Sequence, residues 1–177
     1  MSLFRRLPSF VLIGAVWTGA QATAQTFDGP AHVYRTAYTW HDNTPPGSAV
    51  IARSVVHDRA GGVGTWEDPI TVAVGHSATD GVHTWDVPAG TRLYFPDLAR
   101  YGVVEDLCGD GDRPQDGPCH TGFEGHLWVD IWIDGRSLSA SDADACAARV
   151  TGVVEVVWNP ASNLPVQAGV IAESGCR

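Results

Sequence analysis

Asp130 stands between two tryptophans in the stretch HLWVDIWI, residues 126–133. In an extended strand alternate side chains share a face. His126, Trp128, Asp130 and Trp132 therefore look one way and Leu127, Val129, Ile131 and Ile133 the other. The aliphatic face suits a core. The other face suits sugar chemistry, because the C–H faces of a sugar stack on indole rings. A carboxylic acid in such apolar surroundings also keeps its proton long enough to pass it to a glycosidic oxygen. The plainer alternative buries both tryptophans and leaves Asp130 to accept backbone hydrogen bonds.

Three further stretches combine acids with aromatics or with a strand end. In YGVVEDLC, residues 101–108, alternation sends Glu105 and Asp106 to opposite faces, so one of them points inward or into a groove. In YTWHDN, residues 38–43, Tyr38, Trp40 and Asp42 share a face if the strand continues. In GTWEDP, residues 64–69, Trp66 precedes Glu67 and Asp68 at a turn. Each of these is also compatible with ordinary solvated surface.

Other chemistries find less support. The seven histidines (His32, His41, His57, His76, His83, His120 and His126) lack H-x-H or H-x-x-x-H spacing, and no C-x-x-C is present, so no metal or other cofactor is expected. Asp110, Asp112 and Asp116 form only part of a calcium loop. No G-x-S-x-G marks a serine nucleophile.

The elements that must position these residues are mostly short β-runs separated by Gly, Pro, Asp and Asn. They fall at residues 32–40, 49–57, 69–74, 91–95, 101–106, 126–133, 151–158 and 165–172. One helix is predicted over residues 141–149, capped by Ser141, with Asp142 and Asp144 near its start and Arg149 near its end, packing through Ala145 and Ala148. The pattern is that of an all-β barrel or sandwich with one short helix. The segment 109–118 is a turn-rich loop between cysteines.

Arg5 and Arg6, the apolar run from Phe10 to Trp17 and the small residues 22–24 read as a signal peptide over residues 1–24, leaving one domain over residues 25–177 that is secreted or periplasmic. In an oxidising compartment the four cysteines form two disulfides. The favoured pairing is Cys108 with Cys119 and Cys146 with Cys176, out of three connectivities. The formal charge of −9 becomes −11 once Arg5 and Arg6 are removed. Nucleic acid and anionic membranes are therefore poor partners, and a neutral ligand suits the surface better.

The order of motifs is also informative. Residues 86–106 (DVPAGTRLYFPDLARYGVVED), the later VDIWI at 129–133, a short helix and VVEVVW at 153–158 together resemble the three-aspartate type of six-stranded double-psi β-barrel. That superfamily includes lytic transglycosylase barrels, expansins, barwin-like proteins and small inverting endoglucanases. The resemblance implies a double-psi barrel with extra edge strands. It places Asp130 at the usual catalytic acid, Asp106 at the preceding aspartate of the pattern, Asp86 at the first, and Asp42 near the base of the endoglucanase branch. The chain departs from the pattern in its DLCGDG turn after Asp106 and in Trp128, where a basic residue or histidine is common. The function so implied is glycosidic bond cleavage on a neutral glucan, or on peptidoglycan or a chitin-type glycan. Asp130, Asp106 and Asp42 would be catalytic, with Trp128, Trp132, Tyr38, Trp40, Glu105 and His126 binding substrate, in a monomer. The alternative is an expansin-like or barwin-like protein that binds polysaccharide without cutting it.

Overall fold

The computed structural model describes residues 26–177; the expected signal peptide lies outside the described residues. Six strands close into a barrel in the order β1 (Gly29–Tyr38), β7 (Leu127–Trp132), β2 (Ile70–Val74), β6 (Arg100–Leu107), β5 (Arg92–Phe95) and β8 (Gly152–Trp158). Two neighbouring pairs, β1 with β7 and β2 with β6, run parallel, and the other pairings are antiparallel. The all-β class, the six-stranded barrel and both favoured disulfides are present.

β2 is buried at every position, as an aliphatic strand lying between two others must be. Its Val72 meets Gly102 of β6, where an added Cβ would lie 2.8 Å from Val72 and 2.9 Å from Leu93, so only glycine allows the two strands to pack this closely. Val129 and Ile131 of β7 fill the same core as Val72, Val74, Leu93 and Phe95. The aliphatic face of residues 127–133 is therefore the interior face, as its alternation requires.

The helix α2 spans Ala140–Val150. Its N-cap is Ser139, whose hydroxyl accepts from the Asp142 N–H, two residues earlier than the cap expected at Ser141. It packs through Ala143, Cys146 and Val150, while Ala145 and Ala148 face solvent, which corrects the expected face by one helical position. Arg35, 2% exposed, holds its C-terminus by donating to the Val150 carbonyl and pairs bidentately with Asp97.

Two predicted strands do not form. Residues 49–57 form no ladder and bend at Ala52, Val55 and Val56: Arg53 donates to the Glu105 backbone carbonyl, Ala52 donates to Asp106 Oδ1, and Val56 and His57 donate to Glu105 Oε2. Residues 165–172 run as a strap with scattered backbone bonds, Gln167 to Ala99 and Gly169 to Val63, before a short 3-10 turn at Ile171–Glu173. In their place an unpredicted hairpin, β3 (His76–Thr79) and β4 (Val82–Trp85), turns through Asp80 and Gly81, both at positive φ. The remaining short helix, α1 (Pro118–Thr121), follows the turn-rich loop.

Candidate functional site

The acids of the sequence converge because of one row across the barrel. Thr36 of β1 pairs with Asp130 of β7, Asp130 with Ala73 of β2, and Ala73 with Asp106 of β6. Two interstrand spacings separate Asp130 from Asp106, which places their Cα atoms about 10 Å apart, with the smallest side chain of the row between them. Alanine there leaves space. A cleft of about 350 Å³ opens over it, lined by Asp130, Asp106, Asp42, Tyr38 and the Cys108 and Cys119 pair among others.

Asp106 is in the row because β6 carries an extra residue. The register shifts between Val72, which faces Val104, and Ala73, which faces Asp106. Glu105 occupies the step that is skipped. Alternation alone would split the two acids between faces, but both are drawn to the Thr71 and Ala73 side of β2. The Thr71 hydroxyl donates to Glu105 at 2.6 Å, and Asp106 lines the cleft.

Asp130 is the most perturbed acid. Burial raises its carboxyl to about 7, against a Thr36 hydroxyl bond that lowers it and aided by the charges of Asp42 and Asp106. Thr36 donates to Asp130 Oδ1 at 2.7 Å and itself accepts from the Trp128 indole N–H at 2.8 Å. The indole fixes the hydroxyl's direction, so Oδ1 is the acceptor, and Oδ2 has no hydrogen-bond partner among the described residues. The proton therefore belongs on Oδ2.

Asp106, 6% exposed, accepts from Tyr38 Oη at 2.8 Å and from the N–H groups of Ala52 and Leu107, each at 2.9 Å. Burial still raises it above the usual carboxylate range, despite these three donors. Tyr38 is pushed well up by its own burial and by Asp106. Asp42 is exposed at the rim; one oxygen accepts from the Thr39 N–H and hydroxyl, closing the turn that follows β1.

Other expected site residues lie elsewhere. Trp132 is 2% exposed and packs edge-on to Tyr38, so it cannot serve as a sugar platform. Trp40 lies beyond the end of β1 with Arg136 over its ring, and it does not line the cleft. Glu105 is fully buried and locked by Thr71 and His57, which excludes contact with a ligand in the cleft. His126 closes a backbone turn with Phe123 and is half-buried. Asp86 bonds His120 Nδ1 at 2.7 Å, apart from the acid row. Among the described residues no three His, Cys, Asp or Glu side chains are placed to hold a metal ion, and no helix is long and apolar enough to cross a membrane.

Sequence reasoning missed Thr36 and His57. Thr36 gives no signal by residue type; only its register opposite Asp130 shows its role. His57 donates to Glu105 at 2.6 Å through Nδ1 and to Asp68 at 2.8 Å through Nε2. Both ring nitrogens face carboxylates, so the ring is held as imidazolium. Burial lowers its pKa, but the two acids more than offset that and leave it raised.

The family described as the DDB_G0273701 N-terminal domain matches residues 30–177, the whole barrel and its C-terminal strap. The chain belongs to that family. A curated relative, "Uncharacterized protein DDB_G0273701/DDB_G0273221" of Dictyostelium discoideum, is 28% identical over 131 residues, covering 74% of this chain and 52% of that protein. The chain thus spans about half the length of the curated relative it matches. No solved structure matches it.

Proposed function

We propose that this family member cleaves glycosidic bonds in a neutral polysaccharide by carboxylate acid/base catalysis, on a barrel of the double-psi type. The parallel pairs β1/β7 and β2/β6 support that barrel type, and the two disulfides support work in an oxidising compartment, secreted or periplasmic. The observation that carries the reading is the row itself: a carboxyl still protonated near neutral pH shares one cleft with two further aspartates.

In this reading Asp130 Oδ2 gives its proton to the glycosidic oxygen as the C–O bond breaks, and Thr36 steadies the carboxylate that remains. Asp42 is the better base, because it is exposed at the rim where water arrives, whereas Asp106 has both oxygens occupied. Asp42 takes a proton from water as the hydroxyl adds to the anomeric carbon from the opposite face. The product is inverted. Asp106 adds a negative charge that keeps Asp130 protonated until a substrate is bound. A transglycosylase variant of the same chemistry needs only Asp130, with the sugar's own hydroxyl attacking.

A binding-only reading draws support from the engagement of Asp42 in its turn and the burial of Asp106. Incubating residues 25–177 with soluble β-glucans, chitosan and peptidoglycan sacculi, beside Asp130→Asn and Asp42→Asn, decides between them by mass spectrometry. Cleavage lost in Asp130→Asn supports the enzyme, and reducing or anhydro ends separate hydrolysis from transglycosylation. No products, with retention on an insoluble glycan, replaces cleavage by binding.

A further inference from the structure

The face that carries the acid row continues along β1 and β7 into an aromatic surface that the cleft does not include. One pairing step before Thr36 and Asp130 on that face, Tyr34 lies between Trp128 of β7 and Val153 of β8. Tyr34 packs T-shaped against Trp128 at 4.6 Å between centroids and stacks on Phe123 at 4.3 Å with their planes 29° apart. Phe123 is 39% exposed and Val153 43%, both high for large apolar side chains.

The Phe123 ring is held in place by its backbone. Glu124 and Gly125, both at positive φ, form a tight two-residue turn, and Phe123 and His126 exchange both of their backbone hydrogen bonds, at 3.0 and 2.8 Å. The segment leading into that turn is tied by Cys119 to Cys108, two residues beyond Asp106 on β6. A covalent link and a rigid turn therefore fix an exposed ring relative to the acid row. An aromatic surface ordered before binding loses little entropy when a ligand settles on it.

We infer that Phe123, Tyr34 and Trp128 form a second sugar-binding subsite, continuous with the acid cleft, that takes the apolar face of a further unit of a linear neutral glycan. The inference rests on the proposed function of the cleft and adds that the ligand is a polymer. From Tyr34 to Thr36 the strand advances about 7 Å, so a chain lying over Asp130 reaches Tyr34 while a single ring does not. The surroundings fit a sugar better than an apolar protein surface. Glu155 and His32 face each other one step further along the same sheet face, and Glu124 stands on the turn, so polar groups border the rings as a glycan's hydroxyls require. Trp128 serves both regions, because its ring packs against Tyr34 and its N–H sets Thr36 against Asp130.

The test is titration of residues 25–177 carrying Asp130→Asn, which slows turnover, with cellohexaose, chitohexaose and the corresponding disaccharides. Indole and backbone N–H shifts are followed by NMR. A hexasaccharide is expected to move the Trp128, Phe123 and Tyr34 signals. Adding Phe123→Ala should weaken its binding about tenfold, adding Phe123→Trp should retain it, and the disaccharide's affinity should not change. Hexasaccharide binding that Phe123→Ala leaves unaltered, with shifts confined to the cleft, overturns the second subsite and leaves the cleft reading intact. Binding of neither hexasaccharide overturns both. Dimerisation abolished by Phe123→Ala, without any hexasaccharide binding, assigns the surface to a second copy of the chain.

Discussion

Thr36 donates to one oxygen of Asp130 at 2.7 Å while its own oxygen accepts from the Trp128 indole N–H at 2.8 Å, so the hydroxyl is held between a donor and an acceptor. This contact opposes the effect of burial, which raises the Asp130 carboxyl, while the hydroxyl bond pulls it down. Replacing Thr36 with valine keeps the shape and removes the donor. The Asp130 carboxyl in Thr36→Val should titrate higher, by roughly one unit. A ¹³C NMR titration of the carboxyl measures this without a substrate. In cleavage assays the alkaline limb, where the acid loses its proton, should move upward by the same amount.

Asp130→Asn should lower cleavage by about 10² to 10⁴-fold, the usual worth of a general acid. It should also change how stability depends on pH. A carboxyl raised from 3.8 to about 7 binds its proton more tightly folded than unfolded, so the wild-type protein loses stability as pH rises through that window. Asparagine imitates the neutral form and carries no such loss. Melting curves at pH 5 and pH 8 should therefore diverge for the wild type and stay closer together for the variant. An equal pH dependence in the two proteins would show that Asp130 is ionised at neutral pH.

The His57 clamp has the same sign, over a window that begins higher. Its ring titrates above the unfolded value, so the stabilisation is complete below about pH 6.5 and fades as pH rises through the folded value. The segment it holds includes Val50, Ile51 and Ala52, which wall the cleft. Amide exchange in residues 50–57 should quicken in alkali more than base catalysis of exchange accounts for. His57→Ala leaves the fully buried Glu105 without its cation and should cost about 3 kcal/mol at pH 6, read from denaturant unfolding.

The two disulfides should differ in worth. Cys146 and Cys176 are 30 residues apart in sequence and Cys108 and Cys119 only 11, so chain entropy assigns about 3.6 and about 2.8 kcal/mol respectively. Paired Cys→Ser variants measured in guanidinium give the order directly. The Cys108/Cys119 variant should lose hexasaccharide affinity as well, because that bridge steadies the segment leading to Phe123.

How far the site could be read from sequence follows from which contacts are local. The alternation of residues 126–133 correctly gave the core face of β7, because that rule needs only neighbours in the chain. It could not tell that Trp132 packs beneath Tyr38 while Trp128 stays half-exposed, since their burial depends on what the end of β1 places over them. Residues 49–57 have strand composition but meet β6 through one backbone bond and three bonds to its buried carboxylates, not through a ladder, and no local pattern encodes that choice. The hairpin at Asp80 and Gly81 was missed although an Asp-Gly pair is a strong turn signal, because the short, weakly apolar runs beside it hid the strands. Cysteine pairing was legible from compartment and spacing, whereas Thr36 became visible only with the register.

The extra residue in β6 bears on comparison with relatives. Glu105 and Asp106 are adjacent and chemically alike, yet one secures a wall of the cleft and the other faces its contents. A relative that keeps an acid only at the first position retains the fastening and loses the negative charge that Asp106 sets near Asp130. It should share the shape of this protein and hold the Asp130 proton less tightly. A relative that drops one residue there would turn the second acid into the fastening, so two sequences matching at both letters could still differ in what they do.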